Sequence, residues 1–256
     1  MNKFDLHFRS PLLNAAGALG FAPARRGPVD LGQLGAFFTN PISRGPRQPA
    51  DGRGVLPYPG GFLLHSGLPN PGLRAVLRQH AAHWRGAGLP VVVHLVGDVP
   101  EDIHWMVRAL EMVENIGGIE IGIPPQASAD QAAALLQASQ GELPVIACLP
   151  LERASELAPH LARAGNAAAY SLAAPRGLLP CDSQPWGGKL ASGRLYGPGV
   201  FPLALAVVQS LSRQGLPVIG GGGVFSQSDS DAMLQAGALA VQLDTVLWLP
   251  EGGLIL

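Results

Sequence analysis

Four consecutive glycines, Gly220 to Gly223, close an apolar run and precede a segment, 227–235, with the composition of a helix. Such a turn leaves bare backbone N–H groups beside a helix N-terminus, which is the chemistry of anion binding, above all of phosphate. Glycines are equally what a tight strand-to-helix turn requires, so the two readings stand side by side at this point. A second apolar run follows and ends on Asp244-Thr245. Glu120 lies inside an apolar run and reads as a buried carboxylate bonded to neighbouring backbone. Cys148, also within an apolar run, reads as an inert core thiol, because a reactive one needs a cationic neighbour. His80 and His83 stand three apart beside Trp84 with no carboxylate near, which describes a solvated helix face, and no metal site is expected. Cys148 and Cys181 are far apart without a C-x-x-C pattern, so neither a disulfide framework nor a zinc knuckle is indicated.

The elements that must position these groups alternate. Short runs rich in Val, Ile and Ala predict eight strands at 12–17, 35–42, 90–97, 118–123, 144–150, 167–173, 217–222 and 240–245. Helices are predicted between them at 71–86, 100–115, 128–139, 152–164, 199–214 and 227–235, several opening on Pro, Ser or Asp and closing near Gly. Eight such strands with a phosphate-type turn between the seventh and eighth specify an α/β fold, the (β/α)8 TIM barrel, with its chemistry at the strand C-termini. Two connections, 43–69 and 174–198, are longer than a barrel needs and are expected to cover the site. The first contains PYPGGFLL, which reads as a hairpin; the second reads as an irregular lid. The stretch after residue 245 is short for a full closing helix.

The whole chain, 1–256, is read as one barrel domain, since 47% hydrophobic and 14% charged residues over this length supply one large core. A net charge of −1 without any basic block argues against a nucleic-acid partner. No apolar run is long enough to span a bilayer, and the first residues lack the apolar core of a signal peptide, so a cytoplasmic protein with no membrane partner is expected.

Taken in order, SPLLNAAGALG (10–20), LGAFFTNPISRGPRQP (34–49), SGLPNPG (66–72), VVVHLVG (91–97), GIEIGI (118–123), PVIACLP (144–150), YGPGVFPLAL (196–205) and 217–245 resemble the dihydroorotate dehydrogenase family over nearly the whole length. Members of that family are FMN-dependent TIM barrels that oxidise dihydroorotate to orotate. The resemblance implies that Ala15, Ala16 and Gly17 pass beneath a flavin ring, and that Gly197, Gly222, Gly223 and Thr245 surround its phosphate. It also implies that Asn70 is a pocket residue, and it allows a homodimer, since barrels of this family commonly pair.

The departures are as informative. The family's lysine after Thr39 is Asn40 here, its flavin-contacting lysine falls on Cys148, and its ring-holding asparagines fall on Leu64, His94, Gly122 and near Ala173. The loop that should carry a cysteine or serine base reads IPPQAS, with Ser128 the nearby hydroxyl, and the family's Gly-Thr is Asp244-Thr245. His65 and His94 then stand where they could line one pocket as acid, base or stacking partner, or be satisfied histidines of the barrel mouth. Arg44, Arg47 and Arg194 could contact an anion or be solvated charge.

Dihydroorotate oxidation is not expected without a base and without the amides that hold the pyrimidine. FMN retention stays open. From about −12 kcal/mol for an intact site, losing three polar contacts at about 1.5 to 3 kcal/mol each leaves roughly −3 to −7, and Asp244 near a phosphate adds about 4 kcal/mol of repulsion at about 4 Å. Three readings follow: a divergent flavin-dependent oxidoreductase using His65, His94 and Asn70 on another small-molecule substrate; a non-catalytic barrel binding a small ligand or protein partner; and redox-neutral chemistry on a phosphorylated metabolite.

Overall fold

The structure is a computed structural model that describes residues 6–24, 29–52, 54–181 and 188–249. Its strands in chain order are β1 (Leu12–Asn14), β2 (Phe37–Phe38), β3 (Val55–Tyr58), β4 (Gly61–Leu64), β5 (Val91–Val96), β6 (Ile116–Gly122), β7 (Val145–Pro150), β8 (Ala169–Ala173), β9 (Arg176–Cys181), β10 (Lys189–Tyr196), β11 (Ile219–Gly221) and β12 (Ala240–Leu243). The helices are α1 (Leu73–Arg85), α2 (Pro100–Leu110), α3 (Ala129–Ala138), α4 (Ala154–Ala164), α5 (Phe201–Arg213) and α6 (Gln227–Gln235).

Each of the eight predicted barrel runs holds a strand, and each predicted helix is present. Parallel pairing runs β2-β5-β6-β7-β8 and β1-β12-β11. An isolated parallel bridge between Tyr170 and Val218 joins β8 to β11. The remaining seam, β1 to β2, is closed by a backbone bond from the Gly35 N–H to the Leu12 carbonyl at 2.8 Å and by a side chain. Asn14 is fully buried, its Nδ2 donates to the Phe38 carbonyl at 2.6 Å, and its Oδ1 accepts the Phe38 N–H at 2.9 Å. A primary amide thereby takes the place of one peptide unit of a ladder. Asn14→Ala would strand a buried N–H and C=O, and is expected to cost about 2 to 3 kcal/mol, read as a lower urea midpoint at unchanged slope.

Inside the ring Leu13, Phe38, Val92, Ile146, Ala169, Ile219 and Ala240 pack as one small cluster. Outside it the helices bury Val76, Trp84, Met106, Leu161 and Val208 against the outward strand faces. Nearly continuous apolar strands such as Val91–Val96, buried along its whole length with His94 as its one polar residue, are what a parallel sheet covered on both faces demands.

The two long connections fold together. β3 and β4 form the expected hairpin, and β10 pairs antiparallel with both β4 and β9, giving a four-stranded sheet in the order β3-β4-β10-β9. The second connection is thus a hairpin and not an irregular lid. Pro180 sits on β9, an edge strand, where its missing N–H costs no ladder bond. After β12 comes a 3-10 turn, Thr245–Trp248, and the Trp248 indole N–H donates to the Ala18 carbonyl at 2.8 Å.

Candidate active site

The strand C-termini and the small sheet enclose a cavity of about 260 Å³, at the small end of ligand pockets. Ala15, Ala16, Gly17, Asn40, His94, Glu120, Cys148, Gly222, Gln242 and Asp244 come to it from the barrel, and Leu64, Arg194, Tyr196 and Trp248 from above. A wider vestibule outside it is lined by His65, Arg47, Gly122, Pro124 and again His94, Cys148 and Arg194.

At the floor lies a buried polar network. His94 on β5 and Glu120 on β6 are register partners, 3% and 1% exposed, and their inward side chains meet with Nδ1 to Oε2 at 2.5 Å. The other carboxylate oxygen accepts from the Ser171 hydroxyl at 2.6 Å and from Gln242 Nε2 at 3.0 Å. Burial by itself would raise the Glu120 carboxyl, but the charge and hydrogen bond of His94, with those of Ser171 and Gln242, hold it below its ordinary value. With Nδ1 committed to the carboxylate, His94 Nε2 has no hydrogen-bond partner among the described residues, although it is buried. It is aimed at Gly122, where an added Cβ would lie 3.0 Å away. A fixed imidazole with one nitrogen held by a carboxylate and the other open is the arrangement of a general acid or base.

Cys148 is buried, as a core thiol would be, and it also borders the cavity. Its sulfur and the His94 and Glu120 ligating atoms lie within 4.8 Å of one another, and it lines both chambers. Burial, then the Glu120 charge, push the thiol well above its ordinary value. Arg194 on β10 reaches the same cavity, bonds the Tyr196 hydroxyl, and faces no carboxylate within ion-pair distance among the described residues.

The expected phosphate nest is present but filled. Gly223 adopts φ +69°, and an added Cβ would stand 2.5 Å from the Phe201 nitrogen, so only glycine fits against the N-terminus of α5. The Asp244 carboxylate accepts the Thr245 N–H at 2.5 Å and the Thr245 hydroxyl at 3.2 Å, and also takes the Gly223 N–H. Burial raises its pKa, and these backbone and side-chain donors partly offset that. The donors that would grip a phosphate are therefore held by the chain's own anion. As the nest stands, the residues present do not fit an FMN phosphate.

Other expected site residues have structural duties. Asn70 is buried and fully used, its Oδ1 accepting from Ser43 and Gly72 and its Nδ2 donating to Leu68, so it shapes the loop before α1 and does not line the cavity. His65 does not reach the inner cavity; its Nδ1 contacts the Ser192 carbonyl at 2.7 Å, and it shares only the vestibule with His94. Gly197, at φ +138°, packs on Gly60, whose carbonyl an added Cβ would meet at 2.2 Å. Thr39 lies behind the cavity, its hydroxyl accepting the His94 N–H and donating to the Asn40 carbonyl, while Asn40 stitches to Gly20. Arg44 pairs with Asp102 and lies over Trp105, away from the cavity. His80 stacks on Phe21 and its ring lies 6.1 Å from that of His83.

Sequence reasoning favoured a structural role for Glu120 over that of a base, and passed over Gln242 and Ser171. The signal available was register: His94 and Glu120 fall at matching depths in adjacent predicted strands. No helix among the described residues is long and apolar enough to cross a membrane.

Comparison with known proteins agrees with the barrel and its order. The family model described as dihydroorotate dehydrogenase matches residues 1–144 and 179–253. The stretch it leaves out, 145–178, carries Cys148 and Ser171. The catalytic subunit of dihydroorotate dehydrogenase B (NAD(+)) from Pelobacter propionicus is 29% identical over 97% of this chain and 87% of its own length. The subunits of the same name from Trichlorobacter lovleyi and Pyrococcus furiosus are each 30% identical, over 94% and 96% of this chain and 84% and 86% of theirs. With a family match across most of the chain, this chain belongs to the dihydroorotate dehydrogenase family.

Proposed function

We propose that this barrel acts on a small anionic molecule by acid–base chemistry, with His94 transferring the proton, Glu120 orienting it and Arg194 holding the anionic group, in place of a flavin-dependent oxidation of dihydroorotate. The observation that carries the reading is the buried imidazole, on the cavity wall, whose Nδ1 is tied to Glu120 and whose Nε2 has no hydrogen-bond partner among the described residues. The Asp244 carboxylate in the phosphate nest supports the second half of it. The relatives' names describe catalytic subunits of an NAD(+)-linked dihydroorotate dehydrogenase, and the family's cofactor is FMN. The alanines and Gly17 on the cavity wall favour a second reading, a flavin oxidoreductase with a new substrate, because the platform beneath a ring is preserved.

An absorption spectrum of the freshly purified protein, repeated after adding FMN and removing the excess, separates the two. A colourless protein that retains no FMN is expected; stoichiometric flavin absorbance would overturn the proposal. The non-catalytic alternative predicts that malonate, added as a small dicarboxylate probe, leaves the imidazole 15N resonances of His94 unmoved, whereas the proposal predicts that they shift.

The pH dependence of the nest has a definite sign. The Asp244 pKa is raised in the folded state, so protonation is favoured there and its charge is lost as pH falls toward that raised value. Sulfate keeps its charge over this range, and its binding is expected to strengthen from neutral to mildly acidic pH. Isothermal titration at several pH values reads this directly, and a flat profile would count against a carboxylate in the nest.

A further inference from the structure

We propose that Cys148 is a nucleophile served by His94, and that the molecule it attacks is a small carboxylate-bearing ester or thioester whose carboxylate is held by Arg194. The inference deepens the acid–base reading above and rests on it. Three groups carry it. The Cys148 sulfur, a ring nitrogen of His94 and the Glu120 carboxylate cluster within 4.8 Å at the floor of the cavity. His94 Nε2 is buried without a hydrogen-bond partner among the described residues, and it faces Gly122, the cross-strand neighbour of Cys148, where only the absence of a Cβ leaves room. Arg194 lines the same two chambers as Cys148.

The chemistry follows the usual order for a thiol and a base. His94 Nε2 takes the proton of the Cys148 thiol as the sulfur bonds to the carbonyl carbon. The bond from that carbon to the leaving oxygen or sulfur then breaks, and the departing group takes the proton back from His94. Water, deprotonated by the same nitrogen, releases the acid and restores the thiol, so ester or thioester plus water gives acid plus alcohol or thiol. Glu120 is a positioning residue: it fixes Nδ1 and is itself fixed by Ser171 and Gln242. Burial and the Glu120 charge keep the resting sulfur protonated, so the base is required at the moment of attack and no standing thiolate is involved.

Alkylation tests the chemistry without knowledge of the natural ligand. Iodoacetate presents a carboxylate beside an electrophilic carbon; the sulfur–carbon bond forms, iodide leaves and the proton goes to His94. Peptide mapping after timed exposure of the native protein follows Cys148 and Cys181 separately. Cys148 is expected to react faster with iodoacetate than with neutral iodoacetamide, and Arg194→Gln to abolish that preference. His94→Gln is expected to slow Cys148 by on the order of 100-fold, and Glu120→Gln to shift the pH profile of the reaction, with Cys181 unchanged in each and the fold checked by circular dichroism. If Cys148 stays unmodified while malonate still shifts the His94 ring signals, the nucleophile is wrong and the acid–base pocket stands. If neither occurs, both fall. One equivalent of zinc on the purified protein, with alkylation appearing only after chelation, would overturn the nucleophile in favour of a metal held by the same three side chains.

Discussion

Replacing Glu120 with alanine is expected to lower the melting temperature by roughly 6 to 20 °C, the largest loss for any polar substitution in this barrel. Three donors converge on that carboxylate from three other strands: His94 on β5, Ser171 on β8 and Gln242 on β12. Removing the acceptor leaves the His94 and Gln242 donors buried with nothing to bond and Ser171 with only the Cys148 sulfur, and breaking a buried pair in this way costs about 3 to 5 kcal/mol. For a chain of this size each kcal/mol moves the midpoint by about 2 to 4 °C. Glu120→Gln keeps the volume and one acceptor oxygen, so it is expected to lose less than half as much. The pH dependence has its own sign. The folded-state pKa of Glu120 lies below its ordinary value, so its contribution is complete above the ordinary carboxylate range and disappears as pH falls through the depressed one. Wild type should therefore lose stability on acidification more steeply than Glu120→Gln. Equal acid slopes, or an alanine variant that melts with the wild type, would show that the network contributes nothing to folding.

Asp244→Gly is expected to open the anion nest and raise the affinity for FMN or free sulfate by about 1,000-fold, the equivalent of removing one negative charge about 4 Å from the bound anion at an effective dielectric near 20. The Thr245 and Gly223 N–H groups that now bond the carboxylate would be free to receive the ligand, and the left-handed turn at Gly223 that aims them is untouched. Asp244→Asn removes the charge but leaves the side chain in place, and a smaller gain is expected from it. Titration calorimetry of the three proteins with FMN and with sulfate separates charge from bulk. If the glycine variant binds no better than wild type, the nest has lost its geometry as well as its vacancy, and the carboxylate is a consequence of that loss, not its cause.

Most of the barrel was legible because its strands are short apolar runs set off by Gly and Pro, and because the helices between them are amphipathic with capping residues at their ends. Ser128 illustrates the second point: its hydroxyl accepts the Gln131 N–H, while Gln131 bonds back, a capping box written in four residues. β9 and β10 were not legible. Gly177, Pro180 and Gly193 break their alternation, and the strand that organises them, β4, is distant in sequence. The candidate site divides the same way. The glycines of the nest and the odd aspartate beside them could be seen in one stretch of chain. The meeting of His94 with Glu120, and of both with Cys148, depends on register across three neighbouring strands, which no local pattern contains. Asn70 misled because a residue type that suits a ligand also suits a loop with unpaired N–H groups, and the loop used every atom of it.

The four-stranded sheet over the barrel mouth has an evolutionary consequence. Arg194 and Tyr196 are carried on β10, whereas His94, Glu120 and Cys148 are carried on the ring. The residues that would choose a ligand and those that would transform it thus belong to separate pieces of architecture, one a sheet of two hairpins and the other the barrel ring. Exchanging the hairpins between relatives could retarget such a barrel without disturbing the floor, and mutations at the floor could alter the reaction while the same class of molecule continues to be admitted.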